Sequence, residues 1–312
     1  MKEILLENDK LKAVCLPELG GKVRSLILKG RDIEIAAQPG TGKIYRAAES
    51  DGNFGDYDMS GLDDAFPNID AETLTYGGRV FSYPDHGEIW SREMEVLGAE
   101  KEKLGLCWFS PRFSYNYFKT LSLSGSSLVF SYEIKNAGDT DFPCIWTMHG
   151  LLRFERDMRL VFPEGMDRIV NVLPDTPLGE KDSEHSLSKG EFDFTRMPDA
   201  SALKKAGWQE TEPWYMKYYG AGPVGEGSCQ VIYPSDGIKA VFSYDAEKLP
   251  WLGVWINAGG FSGDYNLAME MTNGFYDQVS KALDNNRCCV LKPGEKLSFE
   301  VSLSVTDFDG NV

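Results

Sequence analysis

The feature that most limits what this chain can fold into is a side-chain period of two. Leu128, Phe130, Tyr132 and Ile134 alternate with Ser127, Val129, Ser131, Glu133 and Lys135. Leu297, Phe299, Val301, Leu303 and Val305 alternate with Ser298, Glu300, Ser302 and Ser304, and Ile238, Ala240, Phe242 and Tyr244 repeat the pattern. Alternation of this kind makes a strand with one apolar and one wet face. Turn signals punctuate the runs: Leu19-Gly20-Gly21, Lys29-Gly30-Arg31, Tyr76-Gly77-Gly78, Asn136-Ala137-Gly138-Asp139 and Lys292-Pro293-Gly294-Glu295. Many short antiparallel strands imply a sandwich or a barrel. The expectation is an all-β fold, a large antiparallel β-sandwich forming one domain over residues 1–312.

Helical signal is thin. Residues 200–208 have the pattern of a short helix with Asp199 as its N-cap, and residues 277–283 have room for a turn or two. There is no βαβ alternation, internal repeat or low-complexity linker. Residues 174–200 are the most polar stretch, and His185 within it reads as an ordinary exposed loop residue.

Composition narrows the function classes. Asp and Glu number 48 against 32 Lys and Arg, a formal net charge of −16. Nucleic acids and anionic membrane surfaces attract the opposite balance, so neither is an expected partner. Cys15, Cys107, Cys144, Cys229, Cys288 and Cys289 form no Cys-x-x-Cys pair, so neither a zinc framework nor a small disulfide scaffold is expected. Scattered thiols, a charged N-terminal segment and the lack of any membrane-length apolar run point to a soluble cytoplasmic protein. The Gly-rich segments match neither the phosphate-loop nor the dinucleotide pattern, and no cofactor or metal is expected.

The strongest chemical signal is Leu267-Ala268-Met269-Glu270-Met271-Thr272-Asn273-Gly274. Glu270 lies inside an apolar run with the character of a buried strand. Desolvation raises a carboxyl pKa toward the range useful to a general base, although a buried Glu is as often part of a structural ion pair. Two of the three histidines have similar settings, in Asp85-His86-Gly87-Glu88 and Met148-His149-Gly150. Glycine after His86 permits close approach of a backbone or ligand. Trp90 offers a flat apolar surface for a sugar ring or a core anchor. Trp255 and Asn257 alternate onto one strand face, placing a stacking ring beside an amide, a mixture that suits sugars. Asp64, in Asp63-Asp64-Ala65-Phe66-Pro67, reads as part of a cleft-capping loop or a solvated turn.

Taken in order, these segments resemble the aldose 1-epimerase family of the galactose mutarotase-like fold. The resemblance runs from Leu19-Gly20-Gly21, through the two His segments and the Glu270 strand, to the Lys292-Pro293-Gly294-Glu295 turn, and so covers nearly the whole chain. It implies a β-sandwich with its site on a concave face and a small-molecule sugar as substrate. It also implies that His86 helps bind the sugar, that His149 is the general acid and that Glu270 is the general base of anomer interconversion. Asp64, Asp85, Trp90, Trp255 and Asn257 complete the expected substrate-binding set. The chain departs from well-studied galactose mutarotases in lacking an Asn-Arg-Ile motif, which marks a divergent branch. Two alternatives remain open: a carbohydrate-binding protein without turnover, and another carbohydrate-active enzyme on the same fold. A hydrolase would pair Glu270 with Asp64 or Asp85 across the cleft.

Overall fold

The computed structural model describes residues 1–187, 213–308 and 310. The short helix expected over 200–208 lies outside the described residues.

The period-two segments are strands. Ser127–Asn136 buries Leu128, Phe130, Tyr132, Ile134 and Asn136, and the residues between them are only partly covered. It pairs with Tyr115–Ser124 on one side and Lys296–Asp307 on the other, both antiparallel. Ile238–Tyr244 adds to the far side of Lys296–Asp307. Four further strands complete an eight-stranded sheet, in the order Arg159–Val161, Ser228–Tyr233, Ile238–Tyr244, Lys296–Asp307, Ser127–Asn136, Tyr115–Ser124, Lys103–Phe109 and Glu95–Ala99.

The second large sheet has eleven strands among the described residues. Its central order is Lys22–Leu28, Leu62–Ala65, Thr147–Arg153, Tyr265–Thr272, Trp251–Ala258 and Trp214–Gly220, all antiparallel. These strands are covered on both faces, so buried positions follow one another instead of alternating with exposed ones. One face supplies Met148, Val254, Met269, Met271 and Met216 to a core shared with Leu104, Phe130 and Val301 of the other sheet. Each such fully buried apolar side chain contributes about 1.5–3 kcal/mol. The opposite face of the same strands carries His149, Trp255, Glu270 and Lys217, which border a cavity.

Val279–Asp284 is a short helix, as residues 277–283 suggested. His185 corrects an expectation: it sits half-buried in the edge strand Glu184–Ser186, paired to Arg168–Asn171, and is not an exposed loop residue. All six cysteines are free thiols. Among the described residues no helix is long and apolar enough to cross a membrane.

Candidate active site

Strand register builds the centre of the site. Asp63 is the cross-strand partner of His149. The pairs Thr147–Thr272 and Leu151–Ala268 flank His149 and Glu270 symmetrically, so these two residues sit across from each other on adjoining strands. Glu270 in turn opposes Gly253, and Gly253 opposes Tyr219. Cross-strand neighbours share a face, so Asp63, His149, Glu270, Gly253 and Tyr219 form one row over five strands. Gly253 is required there, because a Cβ would come within 3.0 Å of the Tyr219 ring and 3.2 Å of Glu270 Oε2.

His149 is 6% exposed and its Nδ1 lies 3.1 Å from Asp63 Oδ1. A carboxylate at Nδ1 fixes that nitrogen as the N–H and leaves Nε2 for the cavity. Asp63 is fully buried, and burial alone would raise its pKa. The ammonium of Lys22, 3.2 Å away, and His149 outweigh that effect and hold the carboxyl below its ordinary value. Lys22 also pairs with Asp58, and Asp58 accepts from Ser60.

Glu270 is fully buried, and among the described residues no donor makes a well-aligned hydrogen bond to either of its carboxylate oxygens. Lys217 Nζ lies 2.9 Å from Glu270 Oε2 and 2.9 Å from Asp277 Oδ1. The Tyr219 hydroxyl donates to Asp277 Oδ1 at 2.7 Å. Burial opposes the charge on Lys217, but Asp277 and Glu270 overcome it and hold the ammonium above its ordinary pKa. Asp70 borders the same end of the cavity. Burial, and then repulsion from Asp277, push its carboxyl up to about 6.

Loops close the remaining sides. His86 adopts φ 54° and its backbone N–H donates to Ile69 O at 2.6 Å. The adjacent Gly87, at φ 71°, passes so close to Phe66 that a Cβ would lie 2.1 Å from its carbonyl oxygen. The glycine beside His86 therefore serves a backbone approach. Asp85 lies 3.1 Å from His86 Nδ1 and accepts from Phe54 N at 2.7 Å. These contacts outweigh burial and keep its pKa low. The Phe54 ring stacks on His86 at 4.5 Å and meets His149 edge-on at 4.8 Å. Trp255, Tyr215 and Phe261 also border the cavity and contact one another at 5.6–5.7 Å between centroids. The Trp255 indole donates to Asn266 Oδ1 at 2.8 Å, which fixes the ring.

The cavity so enclosed measures about 250 Å³ and is bordered by His86, His149, Glu270, Asp85, Trp255 and Lys217 among others. The three residues expected to act together, His86, His149 and Glu270, thus open onto one space. Three other expectations are corrected. Asp64 faces the core, where it accepts from Lys119 at 2.7 Å, Tyr132 at 2.6 Å and Tyr117 at 3.2 Å, so it cannot meet a ligand. Trp90 packs beneath the loops against Tyr57 and Phe54, and its indole donates to Asp85 O; it braces the His86 loop without bordering the cavity. The Asn257 amide is spent on the backbone N–H and carbonyl of Phe261, so it positions that ring without contacting a ligand.

Sequence reasoning missed Lys217, Asp277, Asp70, Tyr215, Phe54 and Phe261. Lys217 alone carried a usable signal, being a charge within the aromatic strand run Trp214-Tyr215-Met216-Lys217-Tyr218-Tyr219.

An antiparallel sandwich whose ionisable cavity stands on the outer face of one sheet defines a class of fold. Within that class the chain has the galactose mutarotase-like fold. It superposes on a protein from Synechocystis sp. PCC 6803 with a TM-score of 0.73 at 17% identity, covering 98% of this chain and 96% of that one. It is similar to a galactose mutarotase-like protein from Lactobacillus casei ATCC 334, with TM-score 0.70, 14% identity and coverage of 98% and 100%. It is also similar to the GalM/aldose epimerase homologue from C. elegans, with TM-score 0.71, 14% identity and 99% of both chains covered. No family model and no curated protein sequence matches the chain.

Proposed function

We propose that the protein is an aldose 1-epimerase-like isomerase that interconverts the α and β anomers of a single sugar. The observation that carries this is the placement of His149 and Glu270 across from each other on adjoining strands, both bordering one small cavity. A ring-opening reaction needs one group to take a proton from the C1 hydroxyl while another gives one to the ring oxygen. Glu270, whose carboxylate oxygens accept no aligned hydrogen bond, is the acceptor. His149 is the donor: Asp63 at Nδ1 stabilises the imidazolium and leaves Nε2–H to protonate the ring oxygen. Opening of the ring, rotation about C1–C2 and reversal of the two transfers give the other anomer. His86 and Asp85 supply hydrogen bonds to sugar hydroxyls, and Trp255 with Tyr215 offers a ring face. At about 250 Å³ the cavity lies just below the ~300–1,000 Å³ range of drug-sized ligand sites, which suits one ring better than an oligosaccharide.

The test is mutarotation of a panel of free and phosphorylated aldoses, followed by polarimetry or exchange NMR. Calorimetric binding of the same sugars is measured alongside. Turnover of a bound sugar supports the proposal. Binding without any acceleration would leave a carbohydrate-binding protein in its place. Hydrolysis through Glu270 and Asp64 has no support, since Asp64 lies on the other face of the sheet.

A further inference from the structure

We infer that Lys217 is a positioning residue that keeps Glu270 ionised and fixed, with Asp277 as the counterweight that limits how far it does so. The inference rests on the proposed base role of Glu270 for its meaning, and on geometry for its support. A fully buried carboxylate without aligned hydrogen-bond donors favours its neutral form. Glu270 is such a group. Among the described residues, the one ammonium within ion-pair distance of it is Lys217, at 2.9 Å. His149 faces it from the adjoining strand, but its Nδ1 is committed to Asp63. Tyr219 faces it across Gly253 and donates to Asp277. Asp70, Asp85, His86 and Asp277 come from the loops, and the three acids among them oppose a charge on Glu270. Lys217 is therefore the group that makes a carboxylate at this position tenable near neutral pH.

Asp277 gives the arrangement its balance. An ammonium paired to Glu270 alone would make the carboxylate a poor base, because attraction that favours the ion also weakens proton uptake. Lys217 instead sits 2.9 Å from both carboxylates, and Asp277 is held in place by the Tyr219 hydroxyl. Part of the ammonium's field is thereby neutralised, leaving Glu270 ionised but able to accept a proton. The long stem of Lys217 lies on the same sheet face as Trp255, its cross-strand partner, so the cation reaches Glu270 from a neighbouring row.

The experiment uses the full chain with carboxyl-labelled glutamate and follows the Glu270 carbon by NMR through a pH titration. Glu270→Gln assigns the signal. In Lys217→Met the Glu270 midpoint is expected to rise by roughly 2 pH units or more. Lys217→Arg should restore most of the shift, and Asp277→Asn should move the midpoint below the wild-type value. On a sugar that the wild type turns over, the acidic limb of the pH–rate profile should follow the same order, with Lys217→Met recovering activity at high pH. A folded Lys217→Met protein whose Glu270 titrates with the wild type overturns the inference. If Lys217→Met fails to fold, the Asp277→Asn midpoint decides it, and an unshifted or raised midpoint overturns it. Because the titration needs no turnover, an inactive wild type would overturn the isomerase proposal and leave this test intact.

Discussion

Asp63 and Asp64 are neighbours in sequence, equally buried, and each is paired with a buried lysine. They belong to different parts of the molecule. Asp64 points between the sheets, where Lys119, Tyr117 and Tyr132 satisfy it completely. Asp63 points to the outer face, where one oxygen meets Lys22 and the other meets His149 at the edge of the cavity. The difference lies in what is left over. The Asp64 network closes on itself and fixes how the two sheets meet. The Asp63 network ends in an imidazole with one ring nitrogen free to meet a ligand. A buried ion pair therefore says little about function until its last member is followed to a surface or a cavity.

The comparison breaks most visibly at the end of the Asp63 row. Glu270→Gln keeps the shape of the side chain and removes the base. Anomer interconversion should fall roughly 10²–10⁴-fold while the urea midpoint stays near that of the wild type. Near wild-type turnover by this variant would make Glu270 a structural residue like Asp64. On the core side, Asp64→Ala strands the Lys119 ammonium in the core. Breaking a buried pair by removing one partner costs about 3–5 kcal/mol. Equilibrium unfolding should show that loss, with the folded fraction retaining its turnover per molecule. A stable Asp64→Ala protein with abolished turnover would reverse the two assignments.

Asp63→Asn probes the junction. The amide still reaches His149 Nδ1 but no longer stabilises an imidazolium, and Lys22 keeps Asp58 as a partner. Turnover should fall on the order of tenfold to a hundredfold, as when orienting partners of ligating histidines are removed. Turnover equal to that of the wild type would mean that the Asp63 carboxylate only holds the ring in place.

The fold was legible because its signal is local. A period of two needs no knowledge of partners, and the runs at 127–135, 238–244 and 297–305 all lie within strands. His149 and Glu270 stood out because they are ionisable groups inside apolar runs, and His86 because a histidine precedes a glycine between two acids. What stayed hidden depended on which face a side chain takes. Asp64 differs from Asp63 only in the face it takes, and a shift of one residue along a strand reverses that, while Trp90 lies in a short turn whose packing beneath the loops no strand period reveals. Asn257 does face outward, but its amide is taken up by Phe261, a neighbour that only the loop geometry reveals. Lys217 was missed because its importance comes from Glu270 and Asp277, 53 and 60 positions further along the chain.

Asp70 offers the smallest and most specific test, because burial and the like charge of Asp277 both act on its carboxyl. Asp63 and Asp64 each have a lysine partner, whereas Asp70 is pushed up to about 6 by burial and by Asp277. The ordinary value in an unfolded chain is about 3.9. Between those two values the folded protein holds a proton that the unfolded chain has released. Stability contributed by the protonated form is complete below about pH 4 and is lost as pH rises toward 6, after which the loss is constant. Asp70→Asn removes the titration without changing the shape. The variant should therefore gain stability relative to wild type between pH 4 and pH 7, and the gap should stop widening above that. Urea unfolding of the two proteins at matched pH values reads it directly. A stability gap that does not change between pH 4 and pH 7 would mean that Asp70 titrates as an ordinary surface carboxyl. A gap that moves the other way would mean that Lys217, and not Asp277, dominates the field at that end of the cavity.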